Sequence, residues 1–219
     1  MMAGNVPAIV APFMCGARLH AGKKKTGGTR PIAVGNLLRR LNGKCAATSL
    51  NQRAAKHFSP HQLGVGVRGG AKAIVHAVRE ALDKDPSKIH LLADLKNAFN
   101  QADRGSGREE VAANFPEILA WVKTCYGNTS HLLYGNTIIP SETGFHQGDS
   151  LAGLCFALVL HPLVMMIQER VPTITMNAWF YDDGSEVGRA AGGGQCVSDQ
   201  GATPWTVPLH LLHHSSSQV

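Results

Sequence analysis

Trp179-Phe180-Tyr181-Asp182-Asp183-Gly184 sets three aromatic side chains directly before two adjacent carboxylates and a glycine. The stretch leading into it, Thr173 to Tyr181 ("TITMNAWFY"), has the β-branched and aromatic content of a strand. The paired Asp and the glycine then predict a turn at Asp183-Gly184. Like charges side by side repel, so such a pair calls for a positive occupant. A second acidic strand end lies upstream. Lys88 to Leu95 ("KIHLLADL") is a short apolar run between polar turns and predicts a buried strand ending at Asp94. If the two strands are neighbours in one sheet, three carboxylates converge. Magnesium is the natural occupant of that place, because it prefers hard oxygen ligands and binds through one or two carboxylates plus substrate phosphates. Two such ions, roughly 4 Å apart, stabilise both oxygens of an in-line displacement at phosphorus.

The rest of the chain sets the bounds. Its 219 residues are 44% hydrophobic, enough for one large domain with a core. Five scattered cysteines with no C-x-x-C spacing argue against a disulfide framework or a zinc site and point to a reducing, intracellular setting, nuclear or cytoplasmic. The longest apolar run, 151–167, is interrupted by His161 and Pro162 and is too short for a membrane span. The N-terminus has no basic start ahead of its weakly apolar stretch and reads as ordinary chain. Charge is divided sharply. Met1 to Arg79 holds 13 Lys and Arg and no Asp or Glu, whereas the remainder holds 8 against 15, for a net charge of +6. A basic lobe of that kind attracts phosphates.

Along the chain, "GKKKTGGTRPIAV" predicts a hairpin ending in an extended piece, with Pro31 keeping Arg30 out of the helical region. Residues 36–58 predict an amphipathic helix with a basic face, weakened near Asn42-Gly43. "SPHQLGVGVRGG" reads as loop. "AKAIVHAVREAL" predicts a second helix ending near Asp83 to Pro86. Residues 97–115 start helix-like and break at Gly105-Ser106-Gly107. A helix follows with Pro116 in its first turn, then a hairpin about Gly135-Asn136. Residues 149–170 predict a long buried helix capped by Asp149 or Ser150.

Four of these stretches together resemble the reverse transcriptases, the RNA-directed DNA polymerases of retrotransposons without long terminal repeats and their relatives. "LLADLKNAFNQADR" is similar to the first palm motif of that family, an Asp followed five residues later by an aromatic. "GFHQGDSLAGLCFALVL" is similar to the second, a Gln-Gly dipeptide leading into an apolar helix. "WFYDDG" is similar to the third, and "TRPIAVGNLLRRL" resembles the fingers segment that meets the incoming nucleotide. The similarity runs from about Lys23 to Gly188. It implies an α+β fold with right-hand fingers and palm and an antiparallel palm sheet packed on helices; the chain departs from the family after Gly188, where no amphipathic helical bundle follows and the thumb is expected to be missing. It divides the chain into an N-terminal extension (1–22), a polymerase-like domain (23–188) and a poorly ordered tail (189–219). Fingers would occupy about 23–86 and 116–143, and palm about 87–115 and 144–188.

The resemblance also implies roles. Asp94 and Asp182 would bind two catalytic Mg2+ ions, replaceable by Mn2+, with Asp183 beside them and the backbone carbonyl of Leu95 helping to hold the nucleotide-bound ion. Phe99 would exclude a ribose 2′-hydroxyl and so favour deoxynucleoside triphosphates. Gln147 and Gly148 would line the pocket under the nascent base pair, with Gly148 bare so that substrate can approach closely. Arg30 would grip the triphosphate, with Lys23 the preferred partner among Lys23 to Lys25. The partners implied are a nucleic-acid template and primer, with neither membrane nor protein partner. Ser150 departs from the proline that often follows Gln-Gly-Asp. An alternative reading is a catalytically inactive, truncated retroelement remnant that binds nucleic acid through its basic half. A metal-dependent phosphatase or nuclease would use the same carboxylates but leaves Arg30, Phe99, Gln147 and Gly148 unexplained. His210, His213 and His214 in the tail read as incidental.

Overall fold

A computed structural model of the chain describes residues 6–7, 9–23 and 27–189. Lys24, Lys25, Cys196 and the tail histidines lie outside the described residues, as does the expected disorder of the tail.

A short helix α1 (Ala11–Cys15) leads into the strands β1 (Ala17–Lys23) and β2 (Thr29–Gly35), which pair as the expected antiparallel hairpin. The sheet therefore takes in residues ahead of Lys23. Helix α2 (Leu37–Phe58) is capped by Asn36, whose side chain accepts from Arg39 N at 2.9 Å. It runs unbroken over the expected span, and at Asn42-Gly43, where the sequence weakens it, Gly43 faces Asp149 and Ser150 and is held by packing. Its inner face is also not the one its apolar residues suggest. Leu37, Leu38 and Leu41 are exposed, while Arg39, Gly43, Ala46, Leu50, Ala54 and Phe58 are buried.

After α3 (Gly70–Lys84) comes β3 (Ile89–Asp94). It is a strand, but not a buried one. It forms one edge of its sheet, and Ile89, Leu91 and Leu92 are exposed, Leu92 by 73%. Helix α4 (Ala98–Gln101) ends before Asp103, and α5 (Arg104–Asn114) runs straight through Gly105-Ser106-Gly107. The break falls earlier than predicted because Asp103 caps α5, accepting from Ser106 N. A Cβ at Gly107 would stand 2.6 Å from the Phe145 ring, so glycine serves contact rather than interruption. A 3-10 turn at Pro116–Ile118 opens α6 (Leu119–Tyr126), followed by the hairpin β4 (Ser130–Tyr134) and β5 (Thr137–Ser141). Then come α7 (Ala152–Arg170), β6 (Ile174–Phe180) and β7 (Asp183–Gly188).

Two sheets result. The fingers sheet has the order β2-β1-β4-β5, with β1 and β4 parallel through Ala17↔Leu132 and Arg18↔Leu133. The palm sheet is antiparallel, β3-β7-β6. Its faces divide by the period of two. Ala178 and Val187 pack on Ile74 and Val78 of α3. Trp179 and Asn177 turn the other way, toward α7, where Asn177 donates to Val164 O at 3.1 Å and accepts from Trp179 Nε1 at 2.7 Å. Helix α7 runs through the main core with Leu154, Cys155, Phe156, Leu158 and Leu160 buried. By length and composition it is apolar enough to cross a membrane, yet half of it is buried inside this fold. It starts at Leu151 without a side-chain cap. Asp149, expected there, instead accepts from Leu151 N while its other oxygen serves Arg39 and Tyr126.

Candidate active site

The hairpin of β6 and β7 turns two residues earlier than the glycine suggests. Phe180 pairs with Asp183, so Tyr181 and Asp182 form the turn and Asp183 already belongs to β7. Gly184 is a strand residue opposite Trp179. A Cβ there would stand 2.9 Å from the indole ring, so the glycine makes room for tryptophan rather than bending the chain. Tyr181 has φ 58, a left-handed conformation that costs a non-glycine residue about 1–3 kcal/mol.

Asp94 is the cross-strand partner of Asp183, so the two side chains project from the same face of the sheet. Asp182 lies one residue away in the turn, and its carbonyl accepts from Leu95 N at 3.4 Å. Burial pushes the Asp182 carboxyl above its usual range. Asp183 and Asp94 push it the same way, while Arg30 opposes them. The carbonyl of Leu95 accepts from Ala98 N at 3.3 Å and keeps a second lone pair.

Asp94, Asp182, Asp183, Leu95, Phe99, Gln147, Gly148, Arg30 and Lys23 all line one cavity of about 1340 Å³. The fingers hairpin supplies Arg30, opposite Gly22, and Lys23, opposite Thr29. Among the described residues Arg30 has no ion-pair partner, unlike Arg39, Arg53 and Arg189. Phe99 stacks on Phe156 with ring centroids 4.4 Å apart and meets Tyr181 edge-on at 6.0 Å.

Gln147 and Gly148 are held from behind. Gln147 O accepts from Ala33 N at 2.8 Å, which joins this loop to β2. Gly148 has φ 121, and a Cβ there would lie 2.7 Å from Ala33 O. Its bareness is explained by the backbone of β2, not by substrate alone. Gly148→Ala is expected to lower stability by about 1–3 kcal/mol through this backbone strain and to push the loop off β2; denaturant unfolding measures the first. Arg104, buried, donates to Gly144 O, Ser141 O and Ser141 Oγ and fixes the start of the same loop. Arg39 and Asp149 fix its end.

In sequence His61 to Leu63 have the character of plain loop. These residues flank β6 as a partial fourth strand, with Trp179 N donating to His61 O at 2.6 Å and Leu63 N to Trp179 O at 2.7 Å. The signal was absent because this pairing is too brief to impose an alternating pattern. The described cysteines are all free.

A divalent ion is tested by the donor set. Among the described residues no cluster of three or more His, Cys, Asp or Glu is gathered tightly enough to hold a metal by itself. The oxygen-only carboxylates at the end of the palm sheet nevertheless fit an ion that takes one or two protein carboxylates and completes its shell from substrate.

The carboxylate hairpin, the cations facing it and the antiparallel sheet beneath them belong to a fold that the sequence also identifies. Residues 22–185 match the family model described as reverse transcriptase (RNA-dependent DNA polymerase). The chain belongs to that family, whose members use divalent metal ions. No curated protein matches the sequence. Among solved structures it is similar to apo telomerase from Candida tropicalis, with a TM-score of 0.60 and 12% identity over 84% of this chain and 41% of that one. It is also similar to that telomerase truncated from its C-terminal domain, at 0.57 and 12% over 82% and 44%. A third match is telomerase from Candida albicans in complex with the TWJ fragment of telomeric RNA, at 0.57 and 11% over 84% and 39%. The shared feature is the fold of fingers and palm, and this chain spans less than half the length of each.

Proposed function

We propose that the chain adds deoxynucleotides to a primer 3′-hydroxyl on a nucleic-acid template, with Asp94, Asp182 and Asp183 as the carboxylate centre for two Mg2+ ions, which Mn2+ would replace. The observation that carries this is the single cavity whose walls hold those carboxylates, the cations Arg30 and Lys23, Phe99 and the Gln147-Gly148 loop. Bound divalent ions would supply positive charge at the reacting phosphate and favour the ionised primer hydroxyl. The chain's own residues position and neutralise. Arg30 grips phosphate oxygens, and its planar fork suits two at once. Lys23 adds a point charge. The ring of Phe99, fixed by Phe156, occupies the space beside the sugar. Leu95 offers its remaining carbonyl lone pair. The Candida albicans telomerase similar to this chain is bound to an RNA fragment, which supports nucleic acid as the partner here too.

Primer extension tests the reading. Purified protein is given a primed RNA template or a primed DNA template, deoxynucleotides and Mg2+, beside an Asp94→Asn control. Extension by the parent alone supports it. Binding of the template without extension leaves a nucleic-acid-binding module. Phe99→Val is expected to raise ribonucleotide incorporation relative to deoxynucleotide by about 10–200-fold, the worth of a small change in pocket shape. Competition between the two nucleotides in the same assay measures that ratio.

A further inference from the structure

Gln62 lies outside every stretch that resembles the polymerase motifs, in the brief segment that bridges to β6 at Trp179. It is nevertheless buried to 3% exposure, and its amide is spent on the carboxylate hairpin. Its Nε2 donates to Tyr181 O at 3.0 Å. Its Oε1 accepts from Tyr181 N at 2.7 Å and from Gly64 N at 3.0 Å. A backbone carbonyl only accepts and a backbone N–H only donates, so the amide can sit in one orientation alone. One side chain thus holds both backbone polar groups of Tyr181.

Tyr181 is the residue that needs such holding. It is the first turn residue of a two-residue hairpin, and its φ is 58. Turns with positive φ at that position favour glycine. Left free, a tyrosine would leave this conformation and swing Asp182 with it. The ring is seated as tightly as the backbone. A Cβ at Gly64 would stand 2.9 Å from Tyr181 N and 3.0 Å from Tyr181 Cδ2. A Cβ at Gly153 would stand 2.7 Å from Tyr181 Cε1. Two glycines from separate parts of the chain leave the ring one berth between them.

We propose that Gln62 is a positioning residue of the polymerase centre: by clamping the backbone of Tyr181 it fixes the turn that presents Asp182 and Asp183. The inference rests on the proposed function for its effect on catalysis, but the clamp itself is testable without it. It acts on the carboxylates through the chain and not by touching substrate.

The test compares the parent with Gln62→Met, which keeps size and apolar packing but removes the three hydrogen bonds. Each is also made in a Tyr181→Gly background, where positive φ needs no clamp. Three readouts are taken: amide hydrogen exchange, Mn2+ affinity by electron paramagnetic resonance, and steady-state extension of a primed template. In Gln62→Met the amides of Tyr181 and Gly64 are expected to exchange at least tenfold faster, while Leu158 in α7 is unchanged. Mn2+ affinity and kcat are expected to fall about 10–100-fold, the usual effect of losing an orienting group behind a metal ligand. KM for template-primer stays within about twofold, since such a group acts on the metal centre. In the Tyr181→Gly background the same substitution costs less than about threefold, because glycine adopts the turn unaided. Unchanged hairpin exchange overturns the proposal. So does a rise shared equally with Leu158, which would mean general destabilisation, or an active parent whose kcat ignores Gln62. If the parent extends no primer, the proposed function fails, and exchange with Mn2+ affinity still decides whether Gln62 positions the hairpin.

Discussion

Asp182→Asn is expected to lower primer extension roughly a thousandfold, the scale of losing one preorganised electrostatic group, and at the same time to stabilise the metal-free protein at neutral pH. The two effects have one origin. Burial raises the affinity of the Asp182 carboxyl for its proton, and Asp183 and Asp94 raise it further. A carboxyl that holds its proton more tightly folded than unfolded favours the folded state as pH falls. At neutral pH its charge is therefore a burden on the fold, and Asn removes it. The sign gives a check. The stabilisation by Asn is present above the raised value and fades in acid, where the parent is protonated as well. Thermal unfolding of both proteins at pH 5 and pH 8, with and without Mg2+, measures it. Magnesium is expected to raise the parent's melting temperature by binding the native state, and the variant's much less.

Arg39→Met is the substitution with the largest expected effect on stability, about 3–5 kcal/mol, because it strands a buried carboxylate. For a chain of this size that lowers the melting temperature by roughly 10 °C. Arg39 is 2% exposed and its guanidinium meets Asp149 Oδ2 through Nη2 at 2.7 Å and Nε at 3.0 Å, the side chain of Asp149 being 6% exposed. The same oxygen accepts from Tyr126 Oη at 2.9 Å, and Arg39 also donates to Cys15 O. Burial pushes the Asp149 carboxyl up, but Arg39 and the hydrogen bonds from Leu151 N and Tyr126 win and hold it below its usual value. Its stabilisation is therefore present above the ordinary Asp range and lost as pH falls below it, the reverse of Asp182. Arg39→Met/Asp149→Asn is expected to recover more than half of the loss, since a neutral amide removes the stranded charge. Denaturant unfolding of the three proteins decides this. If the single and double variants unfold alike, the stranded charge is not the cause.

These two predictions mark what local reading reaches and what it does not. The carboxylates at two neighbouring strand ends were legible because each strand carries its own apolar run and its own terminal acid. The β1–β2 and β4–β5 hairpins and the helices α3, α6 and α7 were legible because each carries its own local pattern of apolar residues and turn signals. Arg39 was not, because its partner lies 110 residues away and nothing near it distinguishes a buried guanidinium from a solvated one. The exposed Leu91 and Leu92 were misplaced because an apolar run reports a wish for burial, while edge position is decided by the neighbours. The register of the Asp-Asp turn was shifted because Asp-Gly is a strong turn signal, and the close fit of Gly184 under Trp179 overrode it. Gln62 carried no signal at all. One glutamine in a loop is common, and only the fold shows what its amide faces.

The parallel pairing of β1 with β4 has a consequence for how the chain is made. The β1–β2 hairpin is local and can close as soon as it leaves the ribosome, but its partner at Leu132 and Leu133 is synthesised much later. At roughly 5–20 residues per second, the free edge of β1 stands unpaired for on the order of ten seconds. An open edge is a site where nascent chains stick to one another, and charged side chains are the usual guard. Arg18 and Lys23 lie on that strand. The cations of β1 therefore have a task during synthesis: they keep a waiting strand solitary until its own partner emerges.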